Sequence, residues 1–255
     1  MSVAGDLAKA AQFLRTARRI VFFTGAGISA ESGIPTFRDK CTGDWAAYDP
    51  QRLETANAFR GNPALVWGFY LWRRCQTKNA QPNAGHLAIQ RLASSGREVS
   101  VITQNIDDLH ERAGSQDVVH LHGSLEHAKC FACNRRANLS PEELSVPVEG
   151  LEKDPPRCEH CNGRLRPGIV WFKEDLPAGV WKASMQLIRG CDALVSIGTS
   201  GVVTPAADIP EIALAGGAVV IHINLVDVSL GGNNELMLIG RATEVLVALI
   251  EAIDQ

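Results

Sequence analysis

The sequence has no apolar run that approaches the roughly 20 residues a bilayer-spanning helix needs, which argues against a membrane-embedded chain. It also lacks charge imbalance. A net charge of -3 over 255 residues sets up no field to attract nucleic acid or an anionic membrane, so neither is expected as a partner. The stretch Met1 to Arg19 has no uninterrupted apolar segment and carries Asp6 and Lys9 early, so a secretory leader is not expected. Arg15, Arg18 and Arg19 give it a faint likeness to a transit peptide. The spacing of Leu7, Phe13, Leu14 and Ala17 instead predicts an amphipathic first helix facing a sheet. Internal repeats and low-complexity tracts are absent, and 45% hydrophobic with 21% charged residues is ordinary for one core or two unequal domains.

Cysteine is present in an odd number, seven, which does not fit a fully paired disulfide framework. Four of the seven form two CxxC pairs, Cys130/Cys133 and Cys158/Cys161, separated by 24 residues. Two such pairs complete a tetrahedral sulfur shell, so they predict one zinc ion and a reducing, cytoplasmic location. With four sulfurs the shell has no open position, and the ion is expected to be structural. Cys41, Cys75 and Cys191 read as packing residues, and His127 and His160 as surface residues beside the cysteines.

Short β-branched runs at 19–24, 99–103, 118–121, 193–198 and 218–224 are nearly continuously apolar, as strands of a parallel sheet covered on both faces should be. Helical patterns lie across 86–94, 181–189 and 242–253. The alternation predicts an α/β fold with a Rossmann-like, doubly wound parallel sheet. Two segments interrupt it: an aromatic-rich stretch with a helix over 63–78, and a proline- and cysteine-rich one. The expected division is 1–38, 81–127 and 167–255 for the dinucleotide-binding domain, 39–80 for a helical insertion and 128–166 for a zinc-ribbon insertion.

After the first strand, Gly25, Gly27 and Ala30 fit the G-x-G-x-x-A pattern, which a tight strand-to-helix turn could equally demand. Pro35 ends any helix early, and Thr36-Phe37-Arg38-Asp39 reads as a loop able to fold over a bound cofactor. The string Gly25-Ala26-Gly27-Ile28-Ser29 followed by Ser32-Gly33-Ile34-Pro35-Thr36-Phe37-Arg38 resembles the opening of the sirtuin family of NAD-dependent protein deacylases. The resemblance continues through 103–110 (TQNIDDLH), 121–124 (LHGS), the CxxC pairs, 166–174 (RPGIVWFKE), 198–200 (GTS) and 223–224 (IN), in family order.

That resemblance implies NAD as co-substrate and acyl-lysine proteins or peptides as partners. It implies attack by the acyl oxygen on the anomeric carbon as nicotinamide leaves, and release of free lysine and O-acyl-ADP-ribose. His122 is implied as the base that deprotonates a ribose hydroxyl, with His120, two positions earlier, as the nearest decoy. Asn105 and Asp107 are implied to hold nicotinamide and its ribose, with Gln104 beside them, although an Asp at 107 could merely cap the next helix. NAD contacts are further implied for Gly25, Ala26, Gly27, Ile28, Ala30, Thr36, Phe37 and Arg38, and for Gly198, Thr199, Ser200, Asn224 and Ala242. Val170, Trp171 and Phe172 resemble the segment that takes the peptide as an added strand. Lys173 stands where the family usually has Gly.

Tyr70 and Arg73, three apart on the predicted helix, resemble the Tyr-x-x-Arg signature of the desuccinylase-type subgroup; the two could converge on one acyl carboxylate, so removal of succinyl and malonyl groups is expected besides acetyl, with Arg73 binding the distal carboxylate. Glu54, where that subgroup usually has Ala, could pair with Arg73 or repel an acidic acyl chain, leaving deacetylation as the main activity. A mono-ADP-ribosyltransferase on the same scaffold and a non-catalytic NAD sensor remain the competing readings, and nothing in the sequence sets an oligomeric state.

Overall fold

The computed structural model describes residues 3–36, 45–148 and 150–254. From the N-terminus come α1 (Val3–Thr16), β1 (Arg19–Thr24) and the one-turn α2 (Ala26–Ser29). Then follow α3 (Pro50–Leu53), α4 (Ala56–Gly61), α5 (Pro63–Asn79), α6 (Ala84–Ala93), β2 (Glu98–Thr103), α7 (Leu109–Arg112) and β3 (Val118–His120). Strands β4 (Gly123–Cys130), β5 (Arg136–Ala137) and β6 (Leu165–Ile169) come next. The chain continues with α8 (Ala178–Gly190), β7 (Ala193–Ile197), α9 (Ile209–Ala215), β8 (Val219–Asn224), β9 (Glu235–Ile239) and α10 (Ala242–Ile253). No helix among the described residues is long and apolar enough to cross a membrane.

Six strands form one sheet in the order β3-β2-β1-β7-β8-β9, and every pairing in it is parallel. Counted within the sheet this is the doubly wound order 3-2-1-4-5-6, with its switch point between β1 and β7. The apolar strand runs follow from burial on both faces. In β1, Ile20 and Phe22 pack with α1, α6 and α10 through Leu14, Ile89, Leu246 and Leu249, while Val21 and Phe23 face Met185, Ile188 and Ile209 of α8 and α9. Each such side chain contributes about 1.5–3 kcal/mol on burial, so both helical layers are held by the sheet. On α1 the buried side is Ala10, Ala11 and Leu14, with Leu7 half-buried beside them and Ala17 buried just past the helix, whereas Phe13 is 45% exposed. The apolar stripe at i, i+3, i+4 and i+7 starts at Leu7, and Phe13 lies off it. Strand β9, which the sequence reading did not expect, extends the sheet at its edge beside β8.

The second sheet has three antiparallel strands in the order β5-β4-β6. The aromatic-rich helices pack against it: Trp45, Leu53, Phe59, Val66, Phe69 and Tyr70 form one cluster with Leu125 of β4, Ile169 of β6 and Trp171. Gly123 lies in the left-handed region (φ 75°), and a Cβ there would come within 2.2 Å of the Gly168 carbonyl oxygen. Its glycine is therefore required by the close approach of β4 and β6, and not to open backbone around His122.

The four CxxC cysteines converge so that their sulfurs all lie within 4.8 Å of one another. Cys130 and Cys161 Sγ are 3.5 Å apart and Cys133 and Cys158 Sγ 3.8 Å, close to the roughly 3.8 Å edge of a tetrahedron with ~2.3 Å metal–sulfur bonds. Both pairs use the same turn. Asn134 and Asn162 each follow a second cysteine with φ 57° and donate their amides to the carbonyls of Cys130 and Cys158. The amides of Ala132 and Cys133 point at Cys130 Sγ (3.4 Å each), as expected for a sulfur carrying negative charge. Four cysteine sulfurs this close fit around one cation, and a closed sulfur tetrahedron fits zinc. Stripping the protein with a strong chelator should release one zinc per chain and lower the thermal midpoint by roughly 5–15 °C. Cys158→Ser should do the same, and an unchanged midpoint with no bound zinc would exclude the assignment.

Candidate active site

At the switch point the loops after β1 and β7 press together. Gly25 and Gly27 donate their amides to the carbonyls of Ile197 (2.9 Å) and Gly198 (3.0 Å). A Cβ on Gly27 would lie 2.6 Å from Gly198 Cα, and Gly198 itself has φ 60°. The glycines thus serve loop-to-loop packing first, and those two amides are already engaged. Beside them opens a cleft of about 600 Å³, lined by Gly25, Ala26, Gly27, Thr36, Gly198, Thr199, Ser200 and Asn224. Asn224 Nδ2 donates to the Thr199 carbonyl at 2.8 Å, which joins the ends of β7 and β8.

Three residues expected at this wall are not on it. Ile28 is fully buried in the core, because the single turn of α2 points it down onto the sheet. Ala30 sits exposed in the following 3-10 turn, and Ala242 is buried at the start of α10; neither lines the cleft. Phe37 and Arg38, like Cys41, lie outside the described residues.

The loop after β2 supplies the floor. Gln104, Asn105 and Asp107 all line the cleft. Ser29 joins them: Asn105 Nδ2 donates to Ser29 Oγ (3.1 Å), which donates to Asp107 Oδ2 (3.1 Å). Asp107 Oδ1 also accepts the Leu109 amide at the start of α7, so it supports that helix and faces the cleft at once. Burial raises the Asp107 pKa, opposed by the Leu109 amide and Ser29. Ser29 was not singled out from the sequence, although it stands inside the Gly-Ala-Gly-Ile-Ser string.

His122 lines the cleft just past β3, and its Nδ1 is 2.9 Å from the Gln104 carbonyl oxygen. A carbonyl only accepts, so Nδ1 carries the hydrogen and Nε2 keeps the lone pair of a neutral ring. Burial lowers the pKa of His122 against the opposing pull of that carbonyl, which keeps the ring neutral near pH 7. His120 does not line the cleft; it contacts the Asn105 carbonyl and the Glu111 carboxylate.

The opposite wall is the chain beyond β6. Val170, Trp171, Phe172 and Lys173 line the cleft, and the Val170 amide donates to the His122 carbonyl at 2.8 Å. Phe172 donates its amide to the Glu54 carbonyl, so Glu54 is drawn to the same wall. Arg166 sets the turn: its guanidinium lies 3.4 Å from the centroid of the Trp171 ring and binds both Glu174 oxygens, at 2.5 and 2.8 Å. Lys173 occupies the left-handed region at φ 69°, a conformation that glycine adopts without strain.

Tyr70 and Arg73 do not converge on one point. Tyr70 is buried in the aromatic cluster, off the cleft, and its hydroxyl accepts a hydrogen bond from Trp171 Nε1 at 2.9 Å. Arg73 does line the cleft, but its Nη1 is bonded to Glu54 Oε1 at 2.5 Å. Burial raises the pKa of Glu54, with Arg73 opposing it.

Comparison with known proteins accounts for this constellation. Residues 25–205 match the model of the Sir2 family. The chain is 64% identical over 247 residues to an "NAD-dependent protein deacylase" of Pseudomonas putida, covering 97% of this chain and 94% of the relative. It is 45% identical over 233 residues to a protein of the same name from Mycobacterium tuberculosis, covering 91% and 97%. Among solved structures, a Sir2 homolog–NAD complex superposes with a TM-score of 0.86 at 40% identity, covering 96% of this chain and 93% of the other. A Sir2Af2 structure bound to a myristoylated histone peptide superposes at 0.75 with 32% identity, covering 98% and 97%. The two glycine loops, the neutral histidine and the four-sulfur cluster are thus assembled on a protein that belongs to the Sir2 family.

Proposed function

We propose that this chain removes acyl groups from protein lysines at the expense of NAD, with His122 as its base and a preference for small neutral acyl groups. The observation that carries the first part is the bond from His122 Nδ1–H to the Gln104 carbonyl, which leaves Nε2 as the acceptor of a ring lining the cleft. Bound NAD supplies a ribose whose bond to nicotinamide breaks, leaving an electrophilic anomeric carbon for the acyl oxygen. Around it, the switch-point loops of Gly25–Gly27 and Gly198–Ser200 fit a dinucleotide laid across the strand ends. Asn105 and Asp107, braced by Ser29, suit a nicotinamide amide and ribose hydroxyls. Val170 to Phe172 suit an incoming peptide as an added strand, and a peptide ligand is supported by the similar Sir2Af2 structure, which is bound to a myristoylated histone peptide. Residues 1–38, 81–127 and 167–255 form the NAD-binding part in this reading, with 39–80 and 128–166 as insertions and the four thiolates holding a structural zinc. Four cysteines kept unpaired for a metal support a reducing, cytoplasmic setting.

His122→Ala should cut kcat for deacylation by about 10²–10⁴-fold without lowering the thermal midpoint. Mass spectrometry of the wild-type reaction should find O-acyl-ADP-ribose, and ADP-ribosylated protein in its place would establish the transferase instead. Because the base must be unprotonated, activity should fall as pH drops through the depressed pKa of His122.

The acyl preference rests on a different contact. Arg73, the cation that would receive a distal acyl carboxylate, already holds the Glu54 carboxylate, and both line the cleft. A succinyl or malonyl group would bring a second carboxylate against Glu54 in a buried site, where like charges repel strongly. Acetyl-lysine peptide should therefore exceed succinyl-lysine peptide in kcat/KM. Glu54→Ala should raise desuccinylation by about tenfold or more while changing deacetylation little. Equal rates on both peptides in the wild type, or a variant with no gain, would refute the preference.

A further inference from the structure

The strand that leads to His122 carries a second histidine that the chemistry above does not use. His120 Nδ1 lies 3.1 Å from the Asn105 carbonyl oxygen, and its Nε2 lies 2.6 Å from Glu111 Oε1. A carbonyl and a carboxylate both accept, so each ring nitrogen must donate and the ring holds two hydrogens. His122, with one acceptor, is neutral; His120, with two, is a cation. Consecutive carbonyls of one loop, Gln104 and Asn105, are thus gripped by two imidazoles of opposite proton state.

We propose that the Glu111–His120 ion pair is a positioning pair for NAD chemistry: the imidazolium clamps the Asn105 carbonyl and so keeps the Asn105 and Asp107 side chains turned into the cleft. This rests on the deacylase reading of the same site. Without its second proton, His120 has one hydrogen for two acceptors, and either Asn105 or Glu111 is released. The groups that face it favour the charged form. Glu111 on α7 and Asp107 in the loop both raise its pKa above the ordinary histidine value, against burial, which lowers it. The other histidines it feels, His110 on α7 and His127 on β4, have their pKa values lowered, chiefly by burial, and add no competing cation near neutral pH. The clamp is present at low pH and is lost as pH rises through the raised pKa of His120, so the pH profile should be bell-shaped, with His122 on its acid side.

Glu111→Gln isolates the charge, because the amide can donate to a neutral His120 and keep both hydrogen bonds. Histidine-selective NMR should place the His120 titration above 6.5 in the wild type and below it in Glu111→Gln. With the thermal midpoint held within about 2 °C, the alkaline limb of kcat/KM for NAD should disappear in Glu111→Gln, because the neutral ring it leaves still donates Nδ1–H to the Asn105 carbonyl. His120→Gln should remove that limb altogether. A wild-type His120 that titrates at or below 6.5, or a Glu111→Gln profile that keeps its alkaline limb, overturns the positioning pair. Absence of nicotinamide release from the wild type sinks the deacylase reading on which the pair rests, while the NMR titration still decides the charge of His120 by itself.

Discussion

A single hydrogen bond, from His122 Nδ1–H to the Gln104 carbonyl, sets the chemical character of the cleft. It joins the segment after β3 to the loop after β2, and so depends on the parallel pairing of those strands, in which Thr103 lies opposite His120. If that register slipped by one residue, the side chains of β3 would exchange faces and His122 would leave the cleft. The sheet is therefore the device that fixes which nitrogen of His122 is free. The same dependence explains why the floor is so densely bonded. Asn105 accepts no latitude, because its amide is tied to Thr103 Oγ1, its side chain to Ser29 and its carbonyl to His120.

Much of the scaffold was legible because its cause is local. Strand β1 and helix α10 occupy the residues their patterns indicate, since continuous apolar character and a 3.6-residue stripe are direct consequences of burial. Strand β9 was not legible: only Leu238 of its five residues is buried, and an edge strand of that kind lacks the two-faced apolar signal. The CxxC pairs were legible for a further local reason, the repeated turn that places an asparagine with φ 57° after each second cysteine. Site residues behaved differently. The glycine loop suggested a whole segment facing ligand, yet Ile28 turns into the core because α2 lasts only one turn.

Residues whose roles depend on long-range partners escaped the sequence. Tyr70 and Arg73 stand three apart on α5 and share a helix side, which made a joint carboxylate site reasonable. What separates them is Trp171, 101 positions from Tyr70, and Glu54, 19 positions from Arg73. Glu54 could be recognised as out of place for an acidic-acyl pocket and as one possible partner of Arg73; that the two do pair, at 2.5 Å, required α3 and α5 to be folded together. The two histidines make the same point. His120 and His122 differ in proton state through acceptors 15 and 9 positions away for one and 18 for the other.

The four-sulfur knuckle acquires a function from the strands that carry it. Strand β4 begins at Gly123, next to His122, and ends at the ligand Cys130; β6 begins opposite Cys130 at Leu165 and ends opposite Gly123 at Ile169, next to Val170. One antiparallel pair therefore has the sulfurs at one end and both cleft walls at the other. Between them the register shifts, so strand pairing alone does not enforce alignment along the whole length. Cys130, Cys133, Cys158 and Cys161 closed around one cation would remove that freedom at the far end; at the near end the Val170 amide meets the His122 carbonyl at 2.8 Å. The knuckle can be remote from the cleft and still bear on how far apart His122 and Val170 are held.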